Sequence, residues 1–182
     1  DQNLALLSAD RLDLALSYAS DDNRDIEFIP LVTEELFLIS PPGPVSSAAT
    51  DVPFHELANA PLILPSRPNI LSTLLEDAAQ STQTPLDIMY ELDSMEPKKE
   101  MVIRGLGLTV LPYGSVQKEV ADGLLTARRI IEPDLTRTLY LARARQHPRS
   151  KARDALEALP LRLVANLCET EDWHWRLAPG ST

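Results

Sequence analysis

From its amino end, the chain sets short alternating or continuous apolar runs between stretches of helical spacing. In LDLALS, Leu12, Leu14 and Leu16 fall on one face of a strand and Asp13, Ala15 and Ser17 on the other. ELFLISP is a nearly continuous apolar run closed by Pro41 and Pro42, the pattern of a strand buried on both faces. The Pro, Ser and Ala content over 41–53 predicts an exposed loop. FHELANAPLILP predicts a short helical turn and then a strand at 62–64. Leu71, Leu74, Leu75, Ala78 and Ala79 recur at helical spacing, which predicts a helix over 70–80. LDIMYEL alternates again, as a strand does. Strands separated by helices predict an α/β fold with mostly parallel sheets.

The stretch IRGLGLTVLPYGSV, with two glycines ahead of an apolar run, raises the question of a phosphate-binding loop. Ser94 suits a helix N-cap, Glu96, Pro97 and Glu100 suit its early turns, and Met101, Val102 and Ile103 are its apolar residues. Gly105 then stands where a helix ends in a left-handed residue, which glycine adopts without steric cost. LTVL is the next buried strand, Pro112 halts it, and a helix over 115–122 ends at Gly123. A dinucleotide fingerprint runs strand, G-x-G-x-x-G, helix. Here the glycines follow a helix and precede a strand, and there is no third glycine. The loop is punctuation between packed elements.

Composition narrows the field. A chain of 182 residues suits one substantial domain or two small lobes, and 44% hydrophobic with 24% charged residues is ordinary for a globular protein. A formal net charge of -10 argues against a nucleic-acid surface, because phosphate binding needs a basic stripe. The one cysteine, Cys168, excludes an internal disulfide framework and a cysteine-rich zinc site, and fits a cytoplasmic location. No apolar run approaches membrane-spanning length, so no membrane partner is expected, and no signal peptide is visible. His55, His147 and His174 lie far apart without metal-ligand spacing and read as surface residues. YGSV lacks the context of a nucleophile elbow. Glu34 and Glu35 read as strand-start charges pointing to opposite faces, not as a catalytic pair.

In order along the chain, SADRLDLALSY, PLVTEELFLISP, APLILPSRP, YELDS, MVIRGLGLTVLP, VADGLLTARRIIEPDLTRTLYLA and RSKARDALEAL resemble the effector-binding domain of LysR-type transcriptional regulators. The likeness covers nearly the whole chain and thins after Cys168. LILPSRP and IIEPDLTRTLYLA are most similar to the branch containing nitrogen-assimilation-control regulators. The resemblance implies a type 2 periplasmic-binding-protein-like fold, with two α/β lobes around a cleft that takes a small-molecule effector. On that frame, 1–19 and 138–168 form a partial first lobe, 20–137 the crossover and second lobe, and 169–182 a C-terminal tail. The tail's EDWHW, with both tryptophans, is assigned neither to docking nor to disorder.

The sequence departs from that family pattern in two ways. The family's first strand, first helix and second strand are absent, as is the N-terminal helix-turn-helix through which such regulators bind DNA. Asp10 stands where the family often has glycine at a helix end, and Asp tolerates the left-handed region better than most residues. Leu12, Leu14 and Leu16 thereby lose sheet neighbours and leave an open strand edge. The first lobe is expected to be partly molten or associated, and the second to hold better. In the intact parent the resemblance implies a homo-oligomer, with effector domains side by side in dimers.

Candidate effector contacts follow from strand ends. Ser17 and Tyr18 end the LDLAL strand, where open α/β sheets place ligands, although Tyr18 packing at the hinge serves equally. Pro65, Ser66 and Arg67 follow a strand and precede a helix, a geometry that aims free N–H groups at an anion. Pro68 suits the first turn of that helix, and Arg67 offers a planar cationic fork. The plainer roles are a serine cap and a solvated arginine. Gly107 is chiefly structural, with a pocket role as the lesser reading. No catalytic residue, metal or cofactor is expected. The function these features favour is a non-enzymatic sensor of a small anionic effector. The competing class is a free-standing solute-binding protein or a transferase-type enzyme on the same fold.

Overall fold

In the computed structural model the described residues are 2–18, 25–43, 50–145, 151–170 and 173–179. Parts of the 41–53 loop and of the 20–33 crossing, together with His147, lie outside them. The chain divides into two compact units, Asp1–Glu34 with Arg137–Thr182, and Glu35–Thr136. Its elements are α1 (Gln2–Ser8), β1 (Leu14–Ser17), β2 (Ile26–Ser40), β3 (Asp51–Pro53), a 3-10 turn (Phe54–Asn59), β4 (Pro61–Leu64), α2 (Ile70–Thr82), β5 (Asp87–Glu91) and α3 (Met95–Ile103). There follow β6 (Thr109–Pro112), a second 3-10 turn (Tyr113–Ser115), α4 (Gln117–Ala121), β7 (Thr126–Ile131), β8 (Thr136–Ala144), α5 (Lys151–Thr170) and β9 (Trp175–Leu177).

Within the second unit the apolar run of β2 is buried on both faces. Leu36 and Leu38 join a core with Phe54, Leu57, Leu62, Leu71 and Leu75, while Phe37 and Ile39 join another with Val102, Leu111 and Val116. β2 pairs antiparallel with β6 and with β7, and β3 pairs parallel with β7. β4 and β5 form a parallel pair, and a parallel bridge at Leu62 and Leu108 joins β4 to the stretch before β6. The expected mostly parallel pairing is therefore corrected to a mixed one. β2 is long enough to serve both units, and its ladders with β6, β7 and β9 run antiparallel.

Helix α2 begins at Ile70, where the apolar spacing predicts it, and Pro68 falls outside its first turn. Its N-cap is Asn69, whose Oδ1 accepts the Leu71 N–H at 2.9 Å, so Pro68 precedes the helix and Ser66 and Arg67 lie outside its first turn. Gly105, at φ 71°, closes α3, and Gly123, at φ 70°, follows α4. Strand β5 exists, but its alternation carries no buried face, because all five residues are exposed. The flanking Leu86 and Leu92 pack instead against the two cores.

In the first unit β1 pairs antiparallel with β8, and β9 pairs antiparallel with β2 from Val32 to Glu34. Asp10 sits at φ 59°, the left-handed conformation that a glycine would otherwise take. Leu4 and Leu7 of α1 pack on Ala15, Ile26 and Ala142, so the small-residue face of β1 is the covered one. Leu16, on the leucine face, is 49% exposed. Leu14 is half-buried against Leu31, Val32, Leu141 and Val164, a core that also takes Trp175. The tail thus docks through β9 and one tryptophan.

Candidate functional site

The carboxyl ends of the parallel pair β4 and β5 bring the second unit's candidate residues together. Pro65 is buried, and its carbonyl accepts the Ser72 hydroxyl at 2.7 Å, which holds the turn after β4 onto α2. The Ser66 N–H donates to Asp93 Oδ1 at 2.9 Å, so a carboxylate already occupies a backbone donor at this strand end. Asp93 lies between β5 and α3, and its charge acts on Lys98 in the first turns of α3. Burial pushes the Lys98 amine below the usual lysine range, and the Asp93 carboxylate opposes that shift.

Arg67 does not share this place. Its side chain is 73% exposed and its Nε donates to Glu76 Oε1 at 2.8 Å, a second guanidinium nitrogen meeting the same oxygen. Arg67 and Glu76 line a shallow groove of about 530 Å³ along α2 and the start of β5. Gly107 is fixed by backbone proximity. A Cβ there would lie 2.9 Å from the Pro61 carbonyl oxygen and 2.9 Å from Ile63 Cγ1. The neighbouring Leu108 exchanges backbone hydrogen bonds with β4, its N–H donating to Pro61 and its carbonyl accepting from Ile63. Close approach of two chain segments accounts for this glycine.

In the first unit, Ser17 is buried opposite Tyr140 in the β1–β8 ladder. Tyr18 donates its hydroxyl to Glu34 Oε1 at 3.2 Å, and the Arg137 guanidinium carbon stands 3.8 Å from the centre of its ring. Arg137 Nε in turn donates to Glu34 Oε2 at 2.7 Å. Burial, with the adjoining Glu34 carboxylate, pushes the Tyr18 phenol up to about 12, against the pull of Arg137. Beside this triad the Thr33 and Thr138 hydroxyls lie 3.2 Å apart. Glu34 is thus no strand-start charge but a buried acid in mid-strand, and Glu35 turns to a different partner, Arg129, at 3.6 Å. Among the described residues no group of acidic, histidine or cysteine side chains has metal-binding geometry. No helix of them is long and apolar enough to cross a membrane.

The model of the LysR substrate-binding-domain family matches residues 1–162. The chain belongs to that family. It is 36% identical over 140 residues to the HTH-type transcriptional regulator BbuR of Bordetella bronchiseptica, which covers 76% of this chain and 42% of that protein. It is 24% identical over 139 residues to the HTH-type transcriptional regulator YybE of Bacillus subtilis, covering 76% and 47%. The chain therefore spans less than half the length of these curated relatives. Among solved structures, the effector-binding domain of QuiR in complex with shikimate superposes with a TM-score of 0.76 at 21% identity, covering 91% of this chain and 78% of that one. The regulatory domain of Synechocystis CcmR in complex with 2-PG gives 0.78 at 18%, covering 91% and 80%. The fold is that of LysR regulatory domains, which are periplasmic-binding-protein-like.

Within this LysR-family domain, sequence reasoning found the Ser66 turn but missed three charged residues. Glu34 and Arg137, 103 positions apart, carry no local signal of pairing. The available hint was two adjacent acids, Glu34 and Glu35, inside a largely apolar strand. Lys98, in MEPKKE, reads as a solvated helix face and is buried.

Proposed function

We propose that the chain is the effector-sensing part of a DNA-binding transcriptional regulator, that it catalyses no reaction, and that its effector is a small anion contacted by the Ser66 turn. The observation that carries the anionic class is the Ser66 N–H bound to the Asp93 carboxylate at the end of β4, a backbone donor suited to an acidic oxygen. The complexes of QuiR with shikimate and of CcmR with 2-PG support a small-molecule effector. The names of BbuR and YybE support a regulator. A net charge of -10 supports a DNA contact made elsewhere in such a regulator, which would act in the cytoplasm as a homo-oligomer. In the first unit, Tyr18 is a positioning residue, since Glu34 and Arg137 engage both its hydroxyl and its ring.

The test is calorimetric titration of the chain with shikimate, 2-PG, inorganic phosphate and sulfate. One saturable site is expected. Ser66→Ala should weaken it by about 1.5–3 kcal/mol, the loss of one hydroxyl hydrogen bond to a charged oxygen. Arg67→Ala should leave it nearly unchanged, because Glu76 already holds that guanidinium. No binding by any of the four anions removes the anionic class.

A further inference from the structure

Two adjacent lysines of α3 differ in one respect. Both are buried, Lys98 to 2% exposure and Lys99 to 9%. Lysines are almost never buried without a partner. Lys99 has two, with Nζ 2.6 Å from Glu119 Oε1 and 2.9 Å from Glu96 Oε1. Among the described residues Lys98 has no carboxylate at ion-pair distance. Asp93 is the acid whose field it feels, and Asp93 Oδ1 already accepts the Ser66 N–H. Asp93 and Ser66 meet where β4 and β5, a parallel pair, both end, the side of a sheet on which open α/β folds take ligands, and Lys98 stands in the first turns of the helix that follows β5.

We infer that Lys98 is the cation that receives the effector's carboxylate or phosphate, at a site shared with Ser66 and Asp93. This rests on the anionic-effector reading and names the residue that sets the charge class. An ammonium is a compact point charge with three rotatable donors, unlike the planar fork of Arg67. It can serve one oxygen of a carboxylate or several of a phosphate. On its own, the ammonium carries its charge at a cost, which burial records in the lowered affinity of the amine for its proton. An arriving anion supplies a further countercharge and should raise the affinity of the amine for its proton.

The experiment uses the whole chain with ¹³C-labelled lysine, the Lys98 signal being assigned by its loss in Lys98→Arg. Shikimate tests the carboxylate and inorganic phosphate the phosphate. With a binding probe, the Lys98 resonance should shift saturably. Lys98→Met should lower affinity by about tenfold to a hundredfold, the worth of one charge-assisted hydrogen bond. The same substitution should leave the urea midpoint unchanged or raise it, because it removes a partly desolvated charge that has no ion pair among the described residues. Loss of binding without loss of stability separates ligand contact from a structural role. Lys98→Arg should retain part of the affinity. If a probe binds and Lys98→Met keeps its affinity within about twofold, Lys98 is not the receptor, while the anionic effector stands. If Lys98→Met does not fold, the wild-type resonance decides, and a Lys98 signal unmoved by a bound anion overturns the assignment. If neither probe binds, the assignment and the anionic reading both fall.

Discussion

Replacing Arg137 by Met should unfold the first unit at much lower denaturant than the native chain requires. Glu34 and Arg137 are the residues at which the two segments of that unit end and resume. Glu34 Oε2 accepts from Arg137 Nε at 2.7 Å, and both side chains are largely shielded, at 4% and 15% exposure. Truncating one partner of a buried pair leaves an uncompensated charge, at a cost of roughly 3–5 kcal/mol, whereas an exposed pair contributes about 0–1 kcal/mol. Here the lower end of the first range applies, because Tyr18 still donates to Glu34 and Arg137 retains some contact with water. With a urea slope of about 1–3 kcal/mol/M, the midpoint should fall by roughly 1–3 M.

The reporter is built in. Both tryptophans of the chain, Trp173 and Trp175, belong to the first unit, and Trp175 packs on Leu31, Val32, Leu141 and Val164. Tryptophan fluorescence therefore follows this unit and not its neighbour. The double replacement Glu34→Leu with Arg137→Met removes both charges and should recover most of the loss. What remains is the Tyr18 hydroxyl deprived of its acceptor, about 1–3 kcal/mol if it stays dry. A single substitution costing under about 1 kcal/mol would place the pair with ordinary surface ion pairs. A double variant as unstable as the single would refute the charge argument and leave only lost packing.

Gly107→Ala should destabilise the second unit by about 1–3 kcal/mol, since the new methyl meets the Pro61 carbonyl and Ile63 at sub-contact distance. Amide hydrogen exchange across β4 and β6 measures it, and unchanged protection counts against the close-approach reading. Tyr18 should ionise near 12 in an ultraviolet titration, and Tyr18→Phe should abolish that step. Because its folded pKa lies above the ordinary 10.0, the stabilisation it gives is complete below pH 10 and is lost as pH rises toward about 12. A first unit equally stable at both ends of that window contradicts the assignment.

How much of this was legible before the structure depended on whether the signal was local. The doubly buried half of β2, the helix-ending Gly105 and the left-handed Asp10 are each encoded in a few neighbouring residues. The pairing of β2 with β6 and β7 is not, so strand and helix alternation alone misjudged the sheet as mostly parallel. Alternation in LDIMYEL marked a strand but not its exposure, because the covering residues are the flanking Leu86 and Leu92. At the candidate site, the start of α2 at Ile70 was legible from the apolar spacing, but Pro68 does not stand in its first turn, because Asn69 is the cap. Lys98 was invisible. Its own segment reads as a polar helix face, and nothing in MEPKKE signals its burial.

The distribution of buried charge separates what holds the fold from what awaits a ligand. Glu34 has Arg137, Lys99 has Glu119 and Glu96, and Arg67, though exposed, has Glu76. An anion binding to any of these cations must compete with a carboxylate in place, and the broken pair subtracts from its affinity. Lys98 involves no such exchange. The acid that acts on it, Asp93, is turned to the Ser66 N–H, so an added anion gains the ammonium without breaking an ion pair. The overall charge of -10 works against anion capture only at long range, where salt screens it within about 10 Å. At the ends of β4 and β5 the local arrangement decides, and on the proposed reading the group there without an ion pair among the described residues is a cation.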